Sequence, residues 1–506
     1  MLLNVPKRVW RLVIVFFVFS IVACWFQYHF FFYNQYDLGI YNQVFWNSVH
    51  GRWFQYSFNP YSYLVDHREW GVLLLLPVYA LVQHPMTLLV LQTAVIATGA
   101  IPTYLLARQI AQGLSVRGRD RLALVSVVVY LLHPLTHAVV LFEFHALSFV
   151  LPLTLWWWLC MISGQRLRTI VIFILLLLVR DDVAVMTSGV GLLLLVFGQG
   201  MQNNKRWRWI GFGIMAVSVL WFIIMARFGA ALAPKQALKF GAFYSWMGNG
   251  PWEYGRFMFS HPIQTLHGAF GEDHVLVLVL LFSSCAFLPL LRPRYLLPLA
   301  GPAVEYLLID RSLFDAFFHA HYSAIIFPWL MIASLYGVTK LFTWLDTKAD
   351  YIYLYSMCRM GLLAIILVQV TLFGPWYRFG VLFMHRHDRD RATMVSVLQD
   401  IAPDDAVMVS PVLYPQLSNR ERIYPTIHLL HGTQHYSNEP YIPPAYIDWL
   451  VVDQQELSRF PGAQQRLAQL ITAQDLILEQ ATPELLVYHR PFGSAPRLVH
   501  GAEPGK

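Results

Sequence analysis

Apolar residues in this chain fall into long runs, and short polar or basic segments interrupt them. A helix that crosses a bilayer takes roughly 20 apolar residues. The runs predict helices over 9–33, 70–105, 122–142, 145–163, 168–180, 183–198, 208–227, 274–291, 295–309, 322–342 and 353–375. His84-Pro85 divides the second run and predicts a short interfacial helix followed by the true span. The runs 168–180 and 183–198 are short and read as a helical hairpin that does not fully cross. The N-terminal apolar stretch is too long for a signal peptide and has no small-x-small cleavage site, so it is read as a retained first helix.

The pattern changes near residue 379. "DRATMVSVLQDIAPDDAVMVSPVLYPQLSNRERIYP" reads as helix, turn, short strand and loop. "AYIDWLVVDQQ" predicts a strand, "PGAQQRLAQLITAQDLI" a helix, "PELLVYHRP" a closing strand and "GSAPRLVHGAEPGK" a loose tail. The expected fold is thus an α-helical polytopic membrane protein of about eleven transmembrane helices. Residues 1–378 form its membrane domain, with a first extracytoplasmic loop at about 34–69, and residues 379–506 a small α/β extracytoplasmic domain.

Composition supports this class. The chain is 57% hydrophobic and 13% charged, with mean hydropathy +0.49, whereas soluble domains carry about a quarter charged residues. The net charge of +7 does not point to nucleic acid, because the basic residues cluster in short loops at 7–11, 108–121, 166–168, 205–208, 292–294 and 340–348. The positive-inside rule places those loops and the N-terminus in the cytoplasm, and the tail domain outside. The basic junction "RFGVLFMHRHDRDR" runs against that placement. Cys24, Cys160, Cys285 and Cys358 lie in apolar runs without metal-ligand or disulfide spacing.

On this topology the ionisable residues at membrane level gather on the outer side, where such groups tend to mark functional paths. Asp37 is balanced between capping the helix that follows it and acting as a chemical group. Asp66, His67, Arg68 and Glu69 form "DHRE", whose acids read first as solvated loop charges. Glu143 and His145 sit at the turn "FEFH". Arg180, Asp181 and Asp182 interrupt a strongly apolar stretch and predict an internal ion pair or an anion-binding point. "DRSLFDAFFHAHYS" supplies Arg311, His319, His321 and Tyr322. In an extended segment the two histidines would share a face, though a lone His-x-His is weak evidence for metal. The aromatic residues from Trp46 to Tyr63 suit a lipid or sugar groove, but interfacial anchoring accounts for most of them.

"YDLGIYNQVFWNSVHGRWF", "DHREWGVLLLLPVYALVQHPMTLLVLQTAVIATGAIPTYLLAR", "FEFHALSFVLPLTLWWW", "LLLVRDDVAVMTSGVGLLLL", "HYSAIIFPWLMIASLYG" and "AVMVSPVLYPQLSNRERIYP" follow one another in order. Together they resemble the bacterial and archaeal membrane proteins called DUF2079. That family looks like a branch of the GT-C superfamily of membrane glycosyltransferases, which use polyprenyl-phosphate-linked sugars. The resemblance implies a prokaryotic cytoplasmic membrane and a sugar transferred to a glycan, lipid or protein acceptor. It implies Asp37 as catalytic base. Asp66, His67, Glu143, His145, Arg180, Asp181, Asp182, His321 and Tyr322 stand at further family positions and would be substrate-binding residues. Arg68, Arg311 and His319 join them as candidates on their residue type and place alone. The "DHRE" reading departs from the His-aromatic pair common in related sequences, which weakens the case for His67. No cofactor is required, although the chemistry admits a divalent cation. A transporter or flippase of a lipid-linked substrate, or a non-catalytic scaffold, are the other readings; the first would favour polar groups at the midplane and repeated halves.

Overall fold

The structure, a computed structural model, describes residues 5–198, 204–232, 239–346, 390–434 and 439–491, with scattered positions between 357 and 385. The helix expected over 353–375, Cys358, most of the basic junction and the tail 493–506 lie wholly or mostly outside the described residues. The protein is mostly helical, with a small C-terminal sheet. Two compact units form: Met1–Cys24, His67–Leu74 and Leu89–Leu382 make one, and Trp25–Asp66, Leu75–Leu88 and Phe383–Lys506 the other.

The first unit is a helical bundle. Among the described residues four helices are long and apolar enough to cross a membrane: Lys7–His29, Pro85–Gly113, Lys205–Leu232 and Ser323–Leu345. Two bent pairs, Val116–Leu132 with Pro134–Leu141 and Pro262–Ala269 with Asp273–Ser284, raise that to six if each is one span. The first bend follows from sequence. His133 precedes a proline and is held out of the α region at φ −64°, ψ 135°. Pro134 then opens the next helix, where its missing N–H costs nothing. The helices Arg166–Val179 and Val183–Phe197 have 14 and 15 residues, about 21–22 Å each, short of a bilayer's roughly 30 Å.

Close packing between helices uses small residues, as expected where lipid leaves little hydrophobic drive between them. A Cβ on Gly191 would lie 2.6 Å from the Gly211 carbonyl oxygen, so the two backbones meet where no larger residue fits. Trp157, Trp158 and Trp329 fill the interior, with the Trp158 and Trp329 rings edge-to-face at 5.4 Å. Cys24, Cys160 and Cys285 are buried and reduced.

The second unit contains a five-stranded sheet of order β2-β1-β3-β5-β4. β1 is Val407–Val409, β2 Ile423–Pro425, β3 Trp449–Asp453, β4 Ile477–Ala481 and β5 Leu485–His489. β1 runs parallel to β2 and β3, while β5 pairs antiparallel with β3 and β4. Alternation along β1 sends Val407 and Val409 into one core and Met408 into the other. β2 falls where a loop is expected. The helix expected over 461–477 ends at Ala473, and β4 begins at its last expected residue and runs through a stretch for which no element is expected. β5, in the stretch read as a closing strand, is the last strand along the chain and lies between β3 and β4 in the sheet.

The first loop belongs to this unit, folded against the segment between β1 and β2. Asn42, on the helix Ile40–Val49, donates to Ser418 Oγ at 2.7 Å and Asn419 Oδ1 at 2.5 Å. Gln43 donates to Ser57 Oγ at 2.6 Å and to the Glu421 carbonyl at 3.0 Å. Ser57 in turn donates to the Ile423 carbonyl at 2.6 Å. The Tyr414 ring lies so close to Gly39 that a Cβ there would come within 2.5 Å of it.

Candidate functional site

Two polar groups stand out, one in each unit. In the bundle, the turn between Arg166–Val179 and Val183–Phe197 carries both halves of a paired arrangement. Arg180 Nε donates to Asp182 Oδ1 at 2.7 Å, and its Nη2 donates to Oδ2. Arg68 Nε donates to Asp181 Oδ2 at 2.9 Å, joined by its Nη2. Gly229 leaves room for that guanidinium, since a Cβ would stand 2.9 Å from Arg68 Nη1. The arrangement is an internal ion-pair set. Each acid in this dry setting is matched by a fork of donors.

The "FEFH" turn adjoins this set and is held by Gln92. Its side chain accepts from the His145 N–H at 2.8 Å and donates to the Glu143 carbonyl at 3.3 Å. Glu143 is buried. His145 Nδ1 accepts from the Leu147 N–H at 3.1 Å, starting the next helix. Its ring stacks on His321 with centroids 3.6 Å apart, and His67 stands edge-on to it at 5.9 Å. Among the described residues neither ring nitrogen of His321 has a hydrogen-bond partner. Burial, followed by the charges of Arg180, His67 and Arg311, holds this ring well below the usual histidine range.

Tyr322 is the hub. Arg180 and Arg311 lie 5.9 and 5.4 Å from its ring centre, and Arg311 Nη1 donates to its hydroxyl at 3.2 Å. Tyr306 packs edge-on at 5.6 Å, and its buried hydroxyl has no partner among the described residues. Arg311 is exposed and, among those residues, forms no ion pair within 4 Å. The cluster therefore offers one uncommitted guanidinium, two buried polar groups and an aromatic wall. That set suits a small anion carrying hydroxyls.

His319 does not join it. Residues Asp315–His319 form a π-helical turn, which leaves His319 exposed while His321 is buried, so the two histidines do not share a face. His319 Nδ1 instead bonds Asp315 Oδ1 at 2.8 Å and draws that carboxyl below its ordinary range. Glu69 is likewise no solvated loop charge, being fully buried. Among the described residues no group of three or more His, Cys, Asp and Glu is arranged to hold a metal ion.

In the second unit, Asp37 lies half-buried in the first turn of the helical segment Gln35–Gly39. The cap is Asn34, whose side chain accepts from the Tyr36 N–H at 3.0 Å, and not Asp37 as the local sequence allowed. Asp66 is buried rather than solvated and accepts from the Tyr56 hydroxyl and, at 2.9 Å, from Asn59 Nδ2. It ties "YSFNPYSYLVD" into a compact loop.

Gln92 and Tyr306 escape sequence reasoning, because each reads as an ordinary residue inside an apolar run. The only signal was a polar side chain where the pattern expects none. The family profile described as "Predicted membrane protein (DUF2079)" matches residues 27–479. Among curated proteins none matches the chain.

Proposed function

We propose that this chain, which belongs to the DUF2079 family of predicted membrane proteins, is an integral-membrane glycosyltransferase of GT-C type. It would move a sugar from a polyprenyl-phosphate-linked donor to an acceptor outside the cytoplasm. Within this reading the membrane domain has about eleven helices and sits in a prokaryotic cytoplasmic membrane, N-terminus inside.

The observation that carries the reading is the Tyr322 cluster. Arg311 is a cation free of any ion pair among the described residues, and buried polar groups stand ready beside it. Its place in the bundle supports an outer location. Lys340 lies 17 residues along the helix Ser323–Asp346 from its start, roughly 26 Å away, and belongs to the basic end that marks the cytoplasm.

In the reaction an acceptor hydroxyl attacks the anomeric carbon as the bond to the lipid phosphate breaks. Asp37 takes the hydroxyl proton, a role that rests on its sequence block. Arg311, with the Tyr306 and His321 groups, meets the charge gathering on the departing phosphate.

The test is transfer from a labelled polyprenyl-phosphate sugar by the purified, reconstituted protein. Asp37→Asn should abolish transfer at unchanged protein level. Arg311→Ala should cost about 10²-fold, the usual scale for losing one donor to a developing anion, and Arg311→Lys should restore part of it. Full activity of Asp37→Asn removes the base assignment. Donor crossing vesicles without transfer would favour the flippase reading.

A further inference from the structure

We propose that the short helices Pro251–Ser260 and Pro262–Ala269 lie along the membrane surface, with Trp252, Phe259, Ile263 and Leu266 seated in the leaflet's acyl–headgroup boundary. The partner is lipid. This stands whether or not the chain transfers sugar.

The helices have 10 and 8 residues, about 15 and 12 Å, and neither can cross a bilayer alone. Each divides into three sectors. On the first, Tyr254, Phe257 and Met258 face inward and pack on Met247, Ala269 and Leu308. Directly opposite stand Trp252 and Phe259, 82% and 90% exposed; at about 100° per residue they lie within about 20° of each other. Glu253, Arg256 and Ser260 are exposed along one flank. The second helix repeats this, with Ala269 inward, Ile263 and Leu266 outward at 82% and 58% exposed, and Gln264 and His267 on the flank. A helix that buries one side in protein and turns a second, aromatic side outward beside a polar flank has the division of an interfacial element.

Continuity identifies lipid as the occupant. The outward stripe runs from Ile263 and Leu266 through Phe270 to Val275, Leu276 and Val279 on the next helix, all of them exposed. That helix, Asp273–Ser284, departs at 53° from Pro262–Ala269, so the two do not share one axis. Exposed apolar residues thus stand on both sides of the bend at 271–274, where Asp273 is exposed as well.

The inner side of the pair is tied to the Tyr322 neighbourhood. Trp246 Nε1 donates to the Leu308 carbonyl at 3.0 Å, the Asp310 N–H donates to the Phe243 carbonyl at 2.9 Å, and Arg311 stands 5.6 Å from the Phe243 ring centre.

The experiment uses the full chain with Cys24, Cys160, Cys285 and Cys358 replaced by alanine. Nitroxide labels go on Trp252→Cys, Phe259→Cys and, as flank control, Ser260→Cys, and the protein is reconstituted in phosphatidylethanolamine–phosphatidylglycerol vesicles. At 252 and 259, collisions with oxygen should exceed those with a water-soluble nickel chelate several-fold, and at 260 the order should reverse. Chelate-dominated collisions at 252 and 259 place them in water and overturn the proposal. Low collision rates with both reagents there indicate a protein partner or second copy and also overturn it. In the chain with native cysteines, a benzophenone amino acid at 252 should yield a phospholipid adduct by mass, whereas a cross-linked dimer would sink the idea.

Discussion

The two units bury carboxylates in opposite ways. In the bundle, Asp181 and Asp182 each meet a guanidinium, from Arg68 and Arg180. In the sheet-bearing unit, Asp66 is held by a tyrosine hydroxyl and an asparagine amide, and Glu456 accepts from Thr426 Oγ1 at 3.3 Å with no ion pair among the described residues. The difference follows from the surroundings. The apolar surroundings of the Arg180 turn give an anion little relief, and there each of these two carboxylates comes with its cation. In the sheet-bearing unit Glu456 has a neutral donor and a carboxyl pushed up by burial.

The most severe break is Asp182→Ala, which strands the buried Arg180 charge. It should cost about 3–5 kcal/mol, read as loss of monodisperse protein in detergent. Replacing the pair together, as Arg180→Met with Asp182→Leu, should recover most of that stability, though not the function. If the single variant is as stable as the parent, the pair is not a buried structural unit.

Next comes the neutral network of the other unit. Asn42→Ala leaves Ser418, Asn419 and the Tyr79 hydroxyl, which donates to Asn42 Oδ1 at 2.7 Å, short of partners. The expected cost is about 1–3 kcal/mol, seen as faster hydrogen exchange over both the first loop and residues 414–423. Exchange confined to the loop would show that the two segments do not hold each other.

A smaller effect separates the two modes by pH. Burial pushes the Glu456 carboxyl up to about 7. Its protonated form is favoured in the fold, so the stability it contributes is full below the ordinary value of about 4.3 and is lost as pH rises through about 7. Hydrogen exchange in β1 and β3 should therefore quicken, at matched intrinsic rates, between pH 5 and 8 in the parent. Glu456→Gln should remove that dependence. The mildest change is Glu421→Ala, which deletes the exposed 3.6 Å pair with Arg52 and should cost less than about 1 kcal/mol in chemical unfolding.

Much of the membrane character was legible because it is carried by local runs. The break at His84-Pro85, the span after it and the short hairpin around Arg180 all follow from composition and proline. The pairing inside that hairpin was half legible. Asp182 is two residues from its partner, but Arg68 reaches Asp181 from 113 positions away, and no local pattern announces such a contact. The same limit hid the joining of Asn42 to Ser418. Asp37 and Asn34 both qualify as caps by residue type, and only backbone geometry decides for Asn34. His321 and His319 separated because Asp315–His319 coils instead of extending.

The seating of Tyr414 against Gly39 also sets a timetable for synthesis. The helix that begins at Ile40 completes its packing only with residues some 375 positions further along the chain. At about 5–20 residues per second, the first loop is finished on the order of half a minute before Tyr414 exists. Through that interval the Asn42 and Gln43 amides lack their partners at Ser418, Asn419 and Glu421. A chain stopped before residue 414 should therefore leave the loop bearing Asp37 open to protease even though the helices around it have already been inserted.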